Sequence, residues 1–179
     1  LFPYIDGHDF VSVLYERGGW DAVNEAYDNL PQSTEQILHP ERYREGDEPQ
    51  DVSVSDLVAD LGSGWTEADS DVLGELGLRL ILAEYVGPAS AATAAEGWGG
   101  DRYALLENGD GVRVLVMQTL WDDQDESDEF WMIYQTYMRH RTEYVEDVDE
   151  LIGAVQSHYW TSEKGHVFAG QEGQSVTIV

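Results

Sequence analysis

The chain has 179 residues, 42% hydrophobic and 11% aromatic, enough for one domain or two small ones around a packed core, which excludes a disordered tail. Its 36 acids against 9 basic residues give a formal net charge of −27, so a nucleic-acid backbone is repelled and no DNA or RNA partner is expected. Cysteine is absent, which removes disulfides and thiolate-bound zinc or iron–sulfur centres, and the apolar runs fall far short of the roughly 20 residues of a membrane span.

Asp6 is placed to cap a first helix, in which Phe10, Val13, Leu14 and Arg17 follow at helical spacing and Gly18-Gly19 ends it. A second helix runs from about Asp21 to Asp28 and stops before Leu30-Pro31. Ser33-Thr34-Glu35-Gln36 reads as a capping box, with Ser33 as cap and Gln36 reaching back, and opens a short helix ended by Pro40. Residues 44–56 are a polar surface connection. Thr66 or Asp69 then caps a helix over about 67–85, where Leu73, Leu76, Gly77, Leu80 and Ile81 repeat at helical spacing. Gly74 and Gly77 weaken that helix and read as points where another backbone approaches. Ser90 to Glu96 forms a short helix, and Gly97-Trp98-Gly99-Gly100 a tight loop.

From residue 101 the period changes to two. Arg102–Glu107 and Val112–Trp121 are strands joined by Asn108-Gly109-Asp110-Gly111, a hairpin turn. The second carries apolar residues on both faces, as a central strand covered on each side does. The acidic run Asp122 to Glu129 starts a helix whose buried stripe is Phe130, Ile133, Tyr134, Tyr137 and Met138, the acids opposing the helix dipole. Asp147 to Val155 is expected to form another short helix. Strands follow at Tyr159–Thr161, His166–Gly170 and Ser175–Val179, with a turn at Glu172-Gly173. This order predicts an α+β fold: N-terminal helices, then an antiparallel β-β-α-β-β sheet with a helix packed on one face. The parts divide as a mainly helical 1–98 and a sheet-plus-helix 99–179, read as one packed unit.

Lys164 is the only lysine; the other eight cations are arginines. Acid enrichment with lysine depletion suits a fold in molar salt, where a Debye length of roughly 3 Å screens the self-repulsion of such a surface. The composition therefore reads as haloarchaeal, with an acidic binder of a basic partner or a calcium-loaded surface as the competing explanations.

The histidines, His8, His39, His140, His158 and His166, are too scattered to form a zinc-peptidase helix. Asp6 and His8 are the only weak metal candidates, and helix capping already accounts for the acid. In the run from Asp122, Asp123, Asp125 and Ser127 alternate as calcium ligands do, but position 128 is Asp where an EF-hand needs glycine. No serine elbow or P-loop occurs. Glu75 and Asp101 could act as a carboxylate pair, with an ion pair from Glu75 to Arg79 as the plainer role. Tryptophans are expected in the core with a polar handle, except that Trp98 on its glycine loop could be an exposed contact. Trp98, Asp101, Arg102 and Tyr103 are thus the candidate binding residues.

Four stretches carry a family resemblance: Phe10 with Tyr15–Asn24, Ser33–Tyr43, Leu73–Gly77 and Gly97–Tyr103. Together they resemble the C-terminal part of an uncharacterised surface-protein family of haloarchaea, over about residues 1–140. The resemblance implies that full-length members carry an upstream H-E-x-x-H segment similar to zinc metallopeptidases, behind an export signal. Zinc and catalysis would then belong to the intact protein, with no cofactor here, and the upstream segment of the same polypeptide would be the partner. Leu1-Phe2-Pro3-Tyr4 fits the interior of a longer chain. The implied location is the cell surface, with a high-salt cytoplasm as the alternative. Two functions are expected: a non-catalytic structural or interaction portion of such a protein, or an autonomous ligand- or protein-binding module using Trp98–Tyr103.

Overall fold

Glycine sets the shape of the first element. After a 3-10 turn at Phe2–Tyr4, α1 spans Asp6–Asp28, and Gly19, at φ 63° and ψ −153°, breaks its path into two helices. Side chains other than glycine's rarely tolerate that backbone region. Asp6 does not cap: Ile5 holds the cap position without a side-chain bond, while Asp6 and Asp9 lie in the first turn, opposite the helix dipole. Buried Phe10, Leu14, Val23 and Ala26 close on Ile37 and Tyr43, which come from α2 (Thr34–Leu38) and α3 (Pro40–Glu45). Ser33 caps α2 by accepting from the Gln36 amide at 3.2 Å, and Gln36 Oε1 accepts from the Gln32 amide, one residue before the cap. The Tyr43 hydroxyl donates to the Asn29 carbonyl at 2.6 Å, and its ring meets Phe10 edge-on.

The computed structural model describes the backbone of residues 1–141, 144–152 and 155–179, and the side chains of all of these except 146–152 and 155. The chain divides into two compact units, Leu1–Pro49 and Gln50–Val179. The seam thus follows Pro49, where the sequence suggests 98/99, because the helices after residue 70 share a core with the sheet.

The second unit contains α4 (Ser55–Asp60), β1 (Trp65–Asp71), α5 (Gly74–Val86), α6 (Pro88–Ala95), β2 (Trp98–Asn108), β3 (Arg113–Trp121) and α7 (Gln124–His140). β4 (Val145–Ile152), β5 (Val155–Ser162), β6 (Gly165–Glu172) and β7 (Ser175–Ile178) complete it. The seven strands form one sheet in the order β1-β2-β3-β7-β6-β5-β4, every neighbouring pair antiparallel. This is an α+β architecture. β3 is covered on both faces as its sequence predicts: Met117 and Trp121 enter the core under α5, α6 and α7, and Val116 packs with Ala104, Leu106 and Val54 on the other side.

Three local expectations are corrected. Residues 65–71 are an edge strand and not the start of a helix, because they pair with Tyr103–Asn108 of β2; the helix begins only at Gly74. Gly97–Gly100 is not a free loop. Trp98 opens β2, and a Cβ on Gly100 would collide with the Gln50 carbonyl oxygen, so the glycines let residues 50–52 lie against the strand, with the Gln50 amide donating to the Gly99 carbonyl at 2.7 Å. The expected helix at Asp147–Val155 is strand over 147–152, laddered against β5; residues 153 and 154 lie outside the described residues. Its acids come in pairs, Glu146-Asp147 and Asp149-Glu150, with no strand alternation to announce it, and the pairing with β5 decides the outcome over helix propensity.

α7 behaves as predicted, with Asp123 capping it by accepting from the Glu126 amide at 3.0 Å and Phe130, Tyr134, Tyr137 and Met138 buried. Trp98 and Trp121 use their indole N–H groups, on Asp101 at 2.9 Å and Thr119 at 3.0 Å. The buried indole nitrogens of Trp131 and Trp160 meet no acceptor among the described residues. No helix among the described residues is long and apolar enough to cross a membrane.

Candidate binding cleft

The residues singled out by sequence hold the fold together. Trp98 is 2% exposed and Asp101 3%, so the loop contact expected at Trp98 is a core contact. Asp101 accepts from the Leu73 amide at 2.8 Å, the Gly74 amide at 2.8 Å and Trp98 Nε1 at 2.9 Å. It does for α5, from a neighbouring strand, what a cap side chain does locally. Burial pushes its carboxyl pKa up against the three N–H bonds that pull it down, and nearby Asp71 adds to the rise. Arg102 donates to Ser70 Oγ at 3.2 Å and the Tyr103 hydroxyl to Asp69 at 3.3 Å, tying β2 to β1. Buried Glu75 faces Arg79 at 3.4 Å, the plainer of its two expected roles, while Asp101 is committed to its three donors. In the first unit, His8 is exposed and its Nδ1 lies 3.1 Å from Asp9. Asp6 and His8, two apart on α1, project about 200° from one another around the helix and do not converge.

The sheet and its helices do build a site elsewhere. β7 is short: its residues pair with Met117–Leu120 of β3 and Ala169–Glu172 of β6, and Val179 exchanges two bonds with Phe168. Arg113–Val116 and Gly165–Val167 extend past it on either side. A cleft of about 850 Å³ opens there, between these strand ends and the inner faces of α5 and α7. That volume falls within the roughly 300–1,000 Å³ of small-molecule sites.

Leu82, Met117, Phe130 and Ile178 line its depth, all buried, and Val112, Leu115 and Ile81 leave large apolar surfaces exposed along it. Phe130 stacks with Tyr134 at 5.7 Å and Tyr134 with Tyr137 at 5.7 Å, so one wall is a continuous aromatic row. Burial pushes both tyrosine hydroxyls above their ordinary pKa, for Tyr137 against the lowering influence of Arg141. They stay protonated, and so able to donate, at neutral pH.

The charged side chains on the cleft are all basic. Arg113, Arg141 and Lys164 line it together with His166, and among its lining residues there is neither aspartate nor glutamate. In a chain with 36 acids and 9 basic residues, chance placement would give the opposite balance. The guanidinium of Arg141 lies over the rings of Tyr137 and Tyr144, at 5.7 and 4.7 Å. Arg113 pairs with Glu107 at 2.9 Å. Lys164 makes no ion pair among the described residues, and His166 stacks on Tyr159. These residues were not among the sequence candidates. The available signal was the single lysine, which composition alone assigns to salt adaptation.

No curated protein and no solved structure matches this chain. Residues 60–179, which hold β1 to β7 and the whole cleft, match the model of a domain of unknown function, DUF8575. Covering more than half of the sequence, that match makes the chain a member of the DUF8575 family.

Proposed function

We propose that residues 50–179 form a non-catalytic binding module that holds an apolar small molecule in the cleft beside β7. The observation that carries this reading is the cleft itself: an apolar-lined volume of about 850 Å³ opening from the core, with a few polar groups at its margin. It favours the second of the two expected functions, but moves the site from Trp98–Tyr103 to the cleft. Equilibrium titration with Nile red in molar NaCl, followed by displacement with decanol, tests it. Wild-type protein should bind the dye with an emission rise reversed by decanol. Val167→Trp, which places a large ring in the opening, should weaken dye binding roughly tenfold or more while leaving the circular dichroism unchanged. Absence of saturable dye binding by the folded protein would sink the proposal.

For the wider setting, we read the module as part of an exported haloarchaeal surface protein, with any zinc-peptidase chemistry carried by another segment. Support comes from the four sequence stretches quoted above and from the acid-rich, lysine-poor composition. Mass spectrometry of the surface fraction of producing cells tests the location, and recovery only from the cytosol would overturn it.

A further inference from the structure

The distribution of charge narrows the ligand. On a surface this acidic, an uncharged apolar ligand needs no cations around it, and a cationic one would be served by the acids found almost everywhere else. The cleft instead gathers Arg113, Arg141 and Lys164, a third of the basic residues in the chain, on walls without a carboxylate side chain. Arg113 shares its charge with Glu107, and Arg141 is held against two aromatic rings, a placement that fixes a guanidinium in position. Lys164 stands on the turn between β5 and β6, exposed and without an ion-pair partner among the described residues. Its immediate acidic neighbour, Glu163, is not part of the lining. The aromatic row and the aliphatic floor extend inward from these cations.

We infer that the occupant is a single-chain amphiphile with an anionic head, its hydrocarbon chain lying along Phe130, Tyr134 and Met117 and its carboxylate or phosphate meeting Lys164 and Arg141. This rests on the cleft being a ligand site, as proposed above, and adds the chemistry of the ligand. Charge-assisted hydrogen bonds from ammonium and guanidinium to an oxyanion are the strong class of such bonds, and partial removal from water preserves them where salt screens exposed pairs. The buried tyrosine hydroxyls supply further donors.

The test compares decanoate, decyl phosphate, decanol and decyltrimethylammonium as competitors of Nile red, all below their micelle concentrations in molar NaCl. Decanoate or decyl phosphate should bind at least about fivefold more tightly than decanol, and decyltrimethylammonium least tightly. Which of the two anions binds better identifies the head. Lys164→Gln, at an exposed position that folding does not depend on, should remove most of the anion's advantage and leave decanol within about twofold. Lys164→Glu should bring decyltrimethylammonium level with decanoate or above it. Arg141→Lys, which keeps the charge, should retain more of the advantage than Arg141→Gln. Equal binding of decanol and both anions by wild type, unchanged in the Lys164 variants, would overturn the anionic head and leave the apolar site standing. Failure of every competitor, and of the dye itself, would overturn both.

Discussion

Asp101 ties β2 to the start of α5 through one carboxylate, and its removal has a calculable consequence. Asp101→Ala leaves the Leu73 and Gly74 amides and the Trp98 indole without acceptors in a buried place. At about 1–3 kcal/mol for each buried unsatisfied group, partly relieved by water, the expected loss is about 2–4 kcal/mol in urea unfolding. The raised pKa of Asp101 fixes the sign of its pH dependence. Because the native carboxyl holds its proton more tightly than the unfolded one, the native state binds more protons as pH falls through the native pKa toward the ordinary value of 3.8. In that window the group adds stability on acidification. Subtracting the Asp101→Asn stability curve from that of wild type should therefore give a difference that moves in favour of wild type toward acid pH, and a difference moving the other way would contradict the burial argument.

Elements whose signal is local were legible before any coordinates. The glycine break in α1, the Ser33 cap, the Asn108–Gly111 turn and the buried stripe of α7 all depend on residues within a few positions of one another. What the sequence misassigns is what distant partners decide. Residues 65–71 become strand because β2 lies beside them, and Leu73–Gly74 starts a helix because Asp101, far along the chain, accepts from their amides. The cleft is of the same kind: Arg113, Arg141 and Lys164 belong to three different parts of the chain and line one cleft only because β3, the end of α7 and the β5–β6 turn are brought to it by the fold. Gly100 offers a test of such distant contacts. Gly100→Ala meets the Gln50 carbonyl and should cost about 1–3 kcal/mol, whereas Gly109→Ala, with open space around it in the turn, should be close to neutral. Comparable melting temperatures for the two variants would mean that the segment at 50–52 is not packed as described.

Over the molecule taken entire, the charge of −27 is the dominant electrostatic fact. Self-repulsion on that surface opposes folding at low ionic strength and is screened when the Debye length shrinks to roughly 3 Å near 1 M salt. Thermal unfolding monitored by circular dichroism should therefore shift upward by about 10 °C or more between 0.05 and 2 M KCl. A flat profile would separate the acidic composition from salt adaptation. Each unit has its own buried cluster, Phe10 with Val23 in the first and the aromatic row with β3 in the second, so a calorimetric trace fitted by two transitions is compatible with the division after Pro49.

The solitary lysine gives the chemist a handle. Among these 179 residues Lys164 is the sole side-chain amine open to acylating reagents, and it borders the cleft. A bound guest would shield it, so the rate of tagging at that one position, read by peptide mass, becomes a footprint of occupancy in crude extracts, before the natural guest has been identified.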